Sequence, residues 1–221
     1  MPYTELFGKK IQVLDEPYDE ITYWNKRQFP TSSDNIYYEK NLEFVRKNIP
    51  PGSTVLDFGA GIGRMFPAYK KCASVSACDI SLVYKDRLLE KVKKENIPFK
   101  EFKHMISVDV IPFEFDEFDV CVCSQVLLHQ TPKNIVSVLF ELKRVARKIV
   151  CISYFEPGWF YDRPYGDPFD VRRGCYNYNY PVLLESLRMG IVYLEKYEDQ
   201  LFFVFLGGTD SLEVQENGKR H

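Results

Sequence analysis

The hydrophobic pattern of the chain switches repeatedly between two periods. Short runs at 54–58, 74–78, 99–105, 118–123 and 148–153 read as strands, and 54–58 is apolar throughout apart from Asp57, as a strand covered on both faces would be. Longer stretches carry apolar residues at helical spacing. Ile36, Leu42, Phe44, Val45 and Ile49 predict a helix over 35–48, with Asp34 as N-cap and Pro50 as stop. A second, over 82–95, is amphipathic with a basic outer face (Lys85, Arg87, Lys91, Lys93, Lys94). A third, to about 146, opens on Thr131-Pro132 and places Ile135, Val138, Leu139, Leu142 and Val145 on one stripe. Residues 181–189 form a short helix closed by Gly190, and 191–197 and 201–206 are two strands around Glu198-Asp199-Gln200. Residues 1–34 read as a polar and aromatic arm with a short helix near 21–26, and 207–221 as a polar, frayed tail.

One stretch carries chemistry. The turn Pro50-Pro51-Gly52-Ser53 leads into the first strand, and Gly59, Gly61 and Gly63 follow it before a segment, 65–71, that can open a helix. Such a loop lets a ligand approach the backbone closely and aims free N–H groups at it. A dinucleotide site carries G-x-G-x-x-G; here the spacing is G-x-G-x-G, and Asp57 stands two residues before the first glycine. A carboxylate at that place repels a pyrophosphate and suits a ligand with an ammonium group.

The stretch VLDFGAGIGR, residues 55–64, resembles the first motif of the class I S-adenosylmethionine (SAM)-dependent methyltransferases, Val/Leu-Leu-Asp-x-Gly-x-Gly-x-Gly, at every defined position. SAM carries an ammonium and a sulfonium and no phosphate. The resemblance implies an α/β fold: a three-layer α/β/α sandwich whose mostly parallel seven-stranded sheet ends in an antiparallel hairpin. It also implies S-adenosyl-L-methionine as cofactor and S-adenosyl-L-homocysteine (SAH) as product. The hairpin over 191–206 suits that sheet and counts against a dinucleotide fold, whose sheet is all parallel.

On the same resemblance the cofactor is held by Asp57, Gly59, Ala60, Gly61, Gly63 and Arg64, and by residues at the following strand ends. Asp79 closes the second strand, with Ile80 behind it, where a carboxylate accepts from two vicinal ribose hydroxyls. The alternative is that Asp79 or Ser81 caps the next helix. After the third strand the family often has Gly-Asp-Ala-x-x-Leu-Pro-Phe. Aligning on Ile111-Pro112-Phe113 puts Ser107 at the aspartate's place, to accept from the adenine, with the Val108 backbone as donor. Ser124 and Gln125, ending the fourth strand, are candidates for the methionine end of SAM and the mouth of methyl transfer. The sequence there is Ser-Gln-Val-Leu, not the Asn/Asp-Pro-Pro-Tyr/Phe of the nucleic-acid amino-methylating branches. His129 is the candidate general base for a hydroxyl nucleophile, against a plain packing or capping role.

Residues 154–180 form a long loop leaving the cofactor side of a strand, rich in Tyr, Pro and Arg, and read as a substrate-lid insertion. Tyr161, Tyr165 and Tyr178 offer aromatic faces to a planar or cationic acceptor, and Arg172 and Arg173 a pairing for carboxylate or phosphate. Tyr37 is a further substrate candidate, and Tyr37, Tyr38 and Trp24 together are candidates to cover the cofactor, though each taken singly reads more readily as aromatic core packing.

Composition narrows the partners. The 221 residues, 45% of them hydrophobic, suit one compact domain, over 35–206, with the arm as a small cap. A formal net charge of −2 gives no global field toward nucleic acid or anionic lipid. Six cysteines without a C-x-x-C pair read as small core hydrophobes, and no run is long enough to cross a bilayer, so a reducing cytoplasm is the expected compartment. His104, His129 and His221 are not at metal-ligand spacing, and no metal is expected. The sequence thus reads as a SAM-dependent methyltransferase acting on oxygen or nitrogen of a small-molecule acceptor, with no membrane or nucleic-acid partner and an undefined oligomeric state. The alternatives are a protein or RNA methyltransferase, which the basic helix would serve, and a non-catalytic SAM-binding scaffold, which the intact glycine loop disfavours.

Overall fold

The computed structural model describes residues 3–6, 9–12, 24–26, 37–154, 167–170 and 175–208. Strands β1 (Tyr3–Leu6) and β2 (Lys9–Gln12) pair as an antiparallel hairpin, where the sequence reads as an irregular arm. The central sheet is built from β3 (Thr54–Phe58), β4 (Ser74–Asp79), β5 (Phe99–His104), β6 (Phe118–Ser124) and β7 (Ala146–Tyr154), all parallel neighbours. Within residues 154–180, which the sequence reads as a long loop, β8 (Asp167–Asp170) and β9 (Cys175–Asn177) pair antiparallel. Strands β10 (Ile191–Tyr197) and β11 (Gln200–Leu206) complete the sheet in the order β10-β11-β7-β6-β3-β4-β5, with β11 antiparallel to both its neighbours.

Period-two alternation divides the strand residues between two apolar layers. Leu56, Phe58, Cys121, Cys123, Cys151, Phe203 and Phe205 face one side, where helix α3 (Ile135–Val145) and helix α4 (Tyr180–Ser186) pack with Val138, Leu142, Leu183 and Leu184. Val55, Val120, Val122, Val150, Phe202 and Val204 face the other, covered by helix α1 (Tyr38–Asn48) and helix α2 (Lys85–Glu95) through Leu42, Val45 and Leu88. Cys121 and Cys123 are buried on one face as small hydrophobes.

Several helix boundaries differ from the sequence reading, each for a local reason. No α-helix follows the glycine loop: the few residues left before β4 allow one 3-10 turn, Phe66–Ala68, with Pro67 in its first turn. Helix α2 starts at Lys85 because the Asp79 carboxylate accepts from Ser81 N (2.8 Å) and the Ser81 hydroxyl from Val83 N (3.3 Å), holding the intervening residues in a turn. Helix α3 starts at Ile135, after a turn in which the Thr131 carbonyl accepts from Asn134 and Ile135. Helix α4 is capped by Asn179, whose side chain accepts from Val182 N, and ends where Arg188 turns left-handed (φ 55°), before Gly190. Asp34, the expected cap of α1, lies outside the described residues; Tyr37 takes the N-cap place without a side-chain bond.

The connection from β5 to β6 has no helix, and α3 holds it with one side-chain pair. Arg144 donates to the carbonyls of Ile111 and Phe113 (2.8 Å each) and to Glu141 (2.6 Å), while Glu141 accepts from Ile111 N (2.9 Å). The fork places five donors at fixed angles, which an ammonium cannot copy. Arg144→Lys is expected to lower stability by about 1–2 kcal/mol in urea unfolding, since the pair is part-exposed; an unchanged midpoint would show that the clamp is idle.

Candidate cofactor site

Strand β3 lies between β4 and β6, and the chain leaves it in opposite directions to either side. In open α/β sheets that reversal leaves a crevice at the carboxyl ends of the strands. A pocket occupies it, with Asp57 to Ile62, Arg64 and Met65 along the β3 exit, Asp79 and Ile80 at β4, Met105 and Val108 after β5, and Ser124 to Val126 at β6. The glycine loop is built to lie flat under this space. Gly59 has φ +66°, and a Cβ there would meet Val126 Cγ2 at 2.5 Å. Gly61 has φ +52° and nothing within 4 Å of an added Cβ, which would project into the open pocket.

The loop's N–H groups are turned inward. Gly59 N and Ala60 N donate to the Cys78 carbonyl (2.9 and 3.2 Å), Gly63 N to Ala60 (2.8 Å), and Gly61 N to the Asp79 carboxylate (2.7 Å). A phosphate cradle needs such groups free, so this loop suits a ligand without phosphate. Two buried acids flank it. Burial pushes Asp79 above the usual carboxylate range, partly offset by the backbone N–H groups of Ser81 and Gly61. Asp57 is pushed up to about 8, first by burial and then by the Asp79 charge, while the Tyr69 hydroxyl and Lys91 act in the opposite direction.

The remaining wall comes from the turn after β6 and from the N-terminal segment. Val126, His129 and Gln130 line the pocket, and the Trp24 indole stands edge-on to the His129 ring, centroids 4.7 Å apart. The helical segment 24–26 is stitched to the β4–α2 turn: the Ser81 hydroxyl donates to Asn25 Oδ1 (2.8 Å) and the Tyr84 hydroxyl to the Trp24 carbonyl (3.1 Å). Four buried polar atoms of pocket-lining residues have no hydrogen-bond partner among the described residues: Asn41 Oδ1, Asp57 Oδ2, Gln125 Nε2 and Gln130 Oε1.

Comparison with known proteins agrees with this geometry. Residues 55–148 match the family model described as a methyltransferase domain. Those residues carry the likeness to a methyltransferase domain, and the sheet order is that of the class I SAM-dependent methyltransferase fold. A chloroplastic magnesium protoporphyrin IX methyltransferase of Arabidopsis thaliana is 31% identical over 116 residues, which cover 50% of this chain and 35% of that protein. The fold is shared with the PH0226 protein of Pyrococcus horikoshii OT3 (TM-score 0.62, 21% identity, 84% of this chain and 98% of that one). It is shared also with a SAM-dependent methyltransferase of Leishmania major (TM-score 0.66, 15% identity, 83% and 80%).

The pocket fits SAM, the cofactor of that family. Its unpartnered atoms include acceptors for an ammonium and a donor for a carboxylate, and its loop leaves room where Gly61 lacks a side chain. Of the residues expected at the cofactor, Asp57, Gly59, Ala60, Gly61, Arg64, Asp79, Ile80, Val108, Ser124 and Gln125 line the pocket, as does His129. Gly63 and Ser107 do not. Gly63 turns the loop, with Phe66 packed where its Cβ would be, and the Ser107 hydroxyl is taken by Asp109.

Two residues expected at the acceptor stand elsewhere. Tyr37 donates to Glu198 (2.6 Å) and packs edge-on to Tyr197, at the far hairpin. Tyr178 is buried in the core and donates to the Gln130 carbonyl (2.6 Å), because a buried phenol must find an acceptor. Tyr161, Tyr165, Arg172 and Arg173 lie outside the described residues. Asn41, Tyr84, Met105, Val126 and Gln130 are pocket residues that the sequence reading lacks. Only Asn41 leaves a sequence signal, as a polar residue within the apolar stripe of α1.

The raised Asp57 has a consequence for stability. Between its unfolded range near 3.8 and its folded value of about 8, the native state keeps a proton that the unfolded chain releases, so stability falls as pH rises through that window. Asp57→Asn is expected to remove this contribution, at most about 1.4 kcal/mol per pH unit. The difference in unfolding free energy between variant and wild type, measured from pH 5 to 8, should grow in the variant's favour; a constant difference would place Asp57 among ordinary ionised carboxylates.

Proposed function

We propose that the protein transfers the methyl group of SAM to an oxygen or nitrogen of a small-molecule acceptor. The observation that carries this reading is the convergence on one pocket of the glycine loop, two buried acids from adjacent strand ends and a histidine. In this assignment Gly59, Ala60, Gly61 and Arg64 cradle the cofactor's amino-acid end, and Asp57 faces its ammonium. Asp79 accepts from the ribose hydroxyls with lone pairs that the Gly61 and Ser81 N–H groups leave available. Ile80 and Val108 enclose the adenine, and Ser124 and Gln125 reach the methionine side.

Bound SAM supplies an electrophilic methyl on a sulfonium that departs as a neutral thioether. The chain's own work is therefore alignment and water exclusion, with Trp24 and Tyr84 forming part of the cover. An acceptor hydroxyl that must lose its proton passes it to the His129 imidazole, which stands in the pocket wall against Trp24. We place the arm at 1–34, the catalytic domain at 35–206 with its acceptor-side insertion at 154–180, and the tail at 207–221.

The small-molecule reading is supported by the name of the plant relative, which acts on magnesium protoporphyrin IX, and by a pocket covered in part by the chain's own N-terminal segment. One observation favours a macromolecular acceptor: Arg87, Lys93 and Lys94 of α2 are exposed on one basic helix. Among the described residues no helix is long and apolar enough to cross a membrane.

Calorimetric titration with SAM and SAH tests the cofactor roles. Wild type is expected to bind both, and Gly61→Val and Asp57→Ala each to weaken binding by roughly a hundredfold or more, one by filling the pocket and one by removing the acceptor. Wild-type affinity in both variants would sink the site assignment. Acceptors are then screened by SAH formation. With a hydroxyl acceptor, His129→Ala should lower kcat by about 10²–10⁴ and leave SAM affinity near wild type; unchanged turnover would return His129 to a packing role.

A further inference from the structure

Helix α1 packs its apolar stripe onto the sheet through Leu42, Phe44 and Val45, and one polar residue interrupts that stripe. Asn41 is 2% exposed, and its Oδ1 has no hydrogen-bond partner among the described residues. Leaving a buried amide oxygen unpaired is costly, and a leucine would pack in nearly the same volume without that cost. A buried polar atom held in this way calls for an account.

Its position supplies one. One turn earlier on the same helix face, the Tyr38 hydroxyl donates to the Arg64 carbonyl (3.1 Å), and the Arg64 guanidinium lies 6.0 Å from the centre of the Tyr38 ring. These contacts dock the first turn of α1 on the end of the glycine loop. Asn41 consequently opens into the pocket that Asp57, Gly59 and Gly61 also line. Helix α1 precedes the glycine motif, so a cofactor contact from it lies outside the motif altogether.

We propose that Asn41 is a cofactor-binding residue whose side-chain oxygen accepts a hydrogen bond from the α-ammonium of SAM, beside Asp57. The inference rests on the reading of this pocket as the SAM site. An ammonium brings three N–H donors into the pocket, and one carboxylate does not satisfy them all. A neutral amide adds an acceptor without setting another negative charge beside Asp57 and Asp79.

The test compares two ligands that share the adenosine end. SAH carries the amino-acid end; 5′-methylthioadenosine stops at the thioether and has neither ammonium nor carboxylate. Affinities of both are measured for wild type, Asn41→Leu and Asn41→Ala, the second removing the oxygen without adding bulk. Both variants are expected to weaken SAH roughly ten- to a hundredfold and to leave 5′-methylthioadenosine unchanged. Thermal unfolding of free Asn41→Leu should stay at or above wild type. An unchanged ratio of the two affinities, or an equal fall in both, overturns the role of Asn41 while leaving the site reading intact. A wild type that binds neither ligand overturns the site reading itself, and the inference with it.

Discussion

The Asp79 carboxylate ties the site together. One oxygen takes the N–H of Gly61 and the other that of Ser81, so the exit of β3 and the exit of β4 share a single buried anchor. The glycine loop has no helix behind it and no side chains to pack at Gly59, Gly61 and Gly63. Its shape depends on bonds of this kind, with the Cys78 carbonyl holding Gly59 and Ala60. Hydrogen bonds to a charged group are the stronger class, which suits a loop that must stay open above and rigid below.

The same anchor determines the electrostatics. Two acids buried at neighbouring strand ends cannot both ionise freely, and Asp57, whose Oδ2 has no hydrogen-bond partner among the described residues, is pushed up to about 8. The pocket therefore has an unmet demand for positive charge. The loop's inward-turned N–H groups make no matching offer to an anion, and that pairing distinguishes a sulfonium- and ammonium-bearing cofactor from a pyrophosphate one.

Around this floor the fold supplies walls from distant parts of the chain. Arg144 and Glu141 of α3 hold the helix-free β5–β6 connection, which delivers Met105 and Val108 to the pocket. Tyr178 holds the Gln130 carbonyl from within the core, beside the turn that presents His129. Trp24 closes over that histidine from the N-terminal segment. The sheet order and the two apolar layers thus serve one crevice.

Much of the floor was legible in the chain itself. The apolar runs of β3, β6, β7 and β11, the glycine spacing and the acids Asp57 and Asp79 are local patterns, and run length and turn chemistry suffice to read them. The helix expected after the loop did not form because the short connection to β4 leaves no length for it. The walls were not legible. Met105, Tyr84 and Val126 could be any apolar residues, and what makes them pocket residues is which strand ends the topology brings side by side. Tyr37 and Tyr178 show the converse: aromatic residues near a predicted mouth were drawn to other partners, Glu198 and the Gln130 carbonyl. The sequence by itself determined the loop, its acids and the succession of strands and helices that build the central sheet, because those depend on neighbours along the chain. Tertiary structure alone decided the burial of Asp57, the orphaned oxygen of Asn41 and the meeting of Trp24 with His129, because each depends on residues far apart in sequence sharing one small volume.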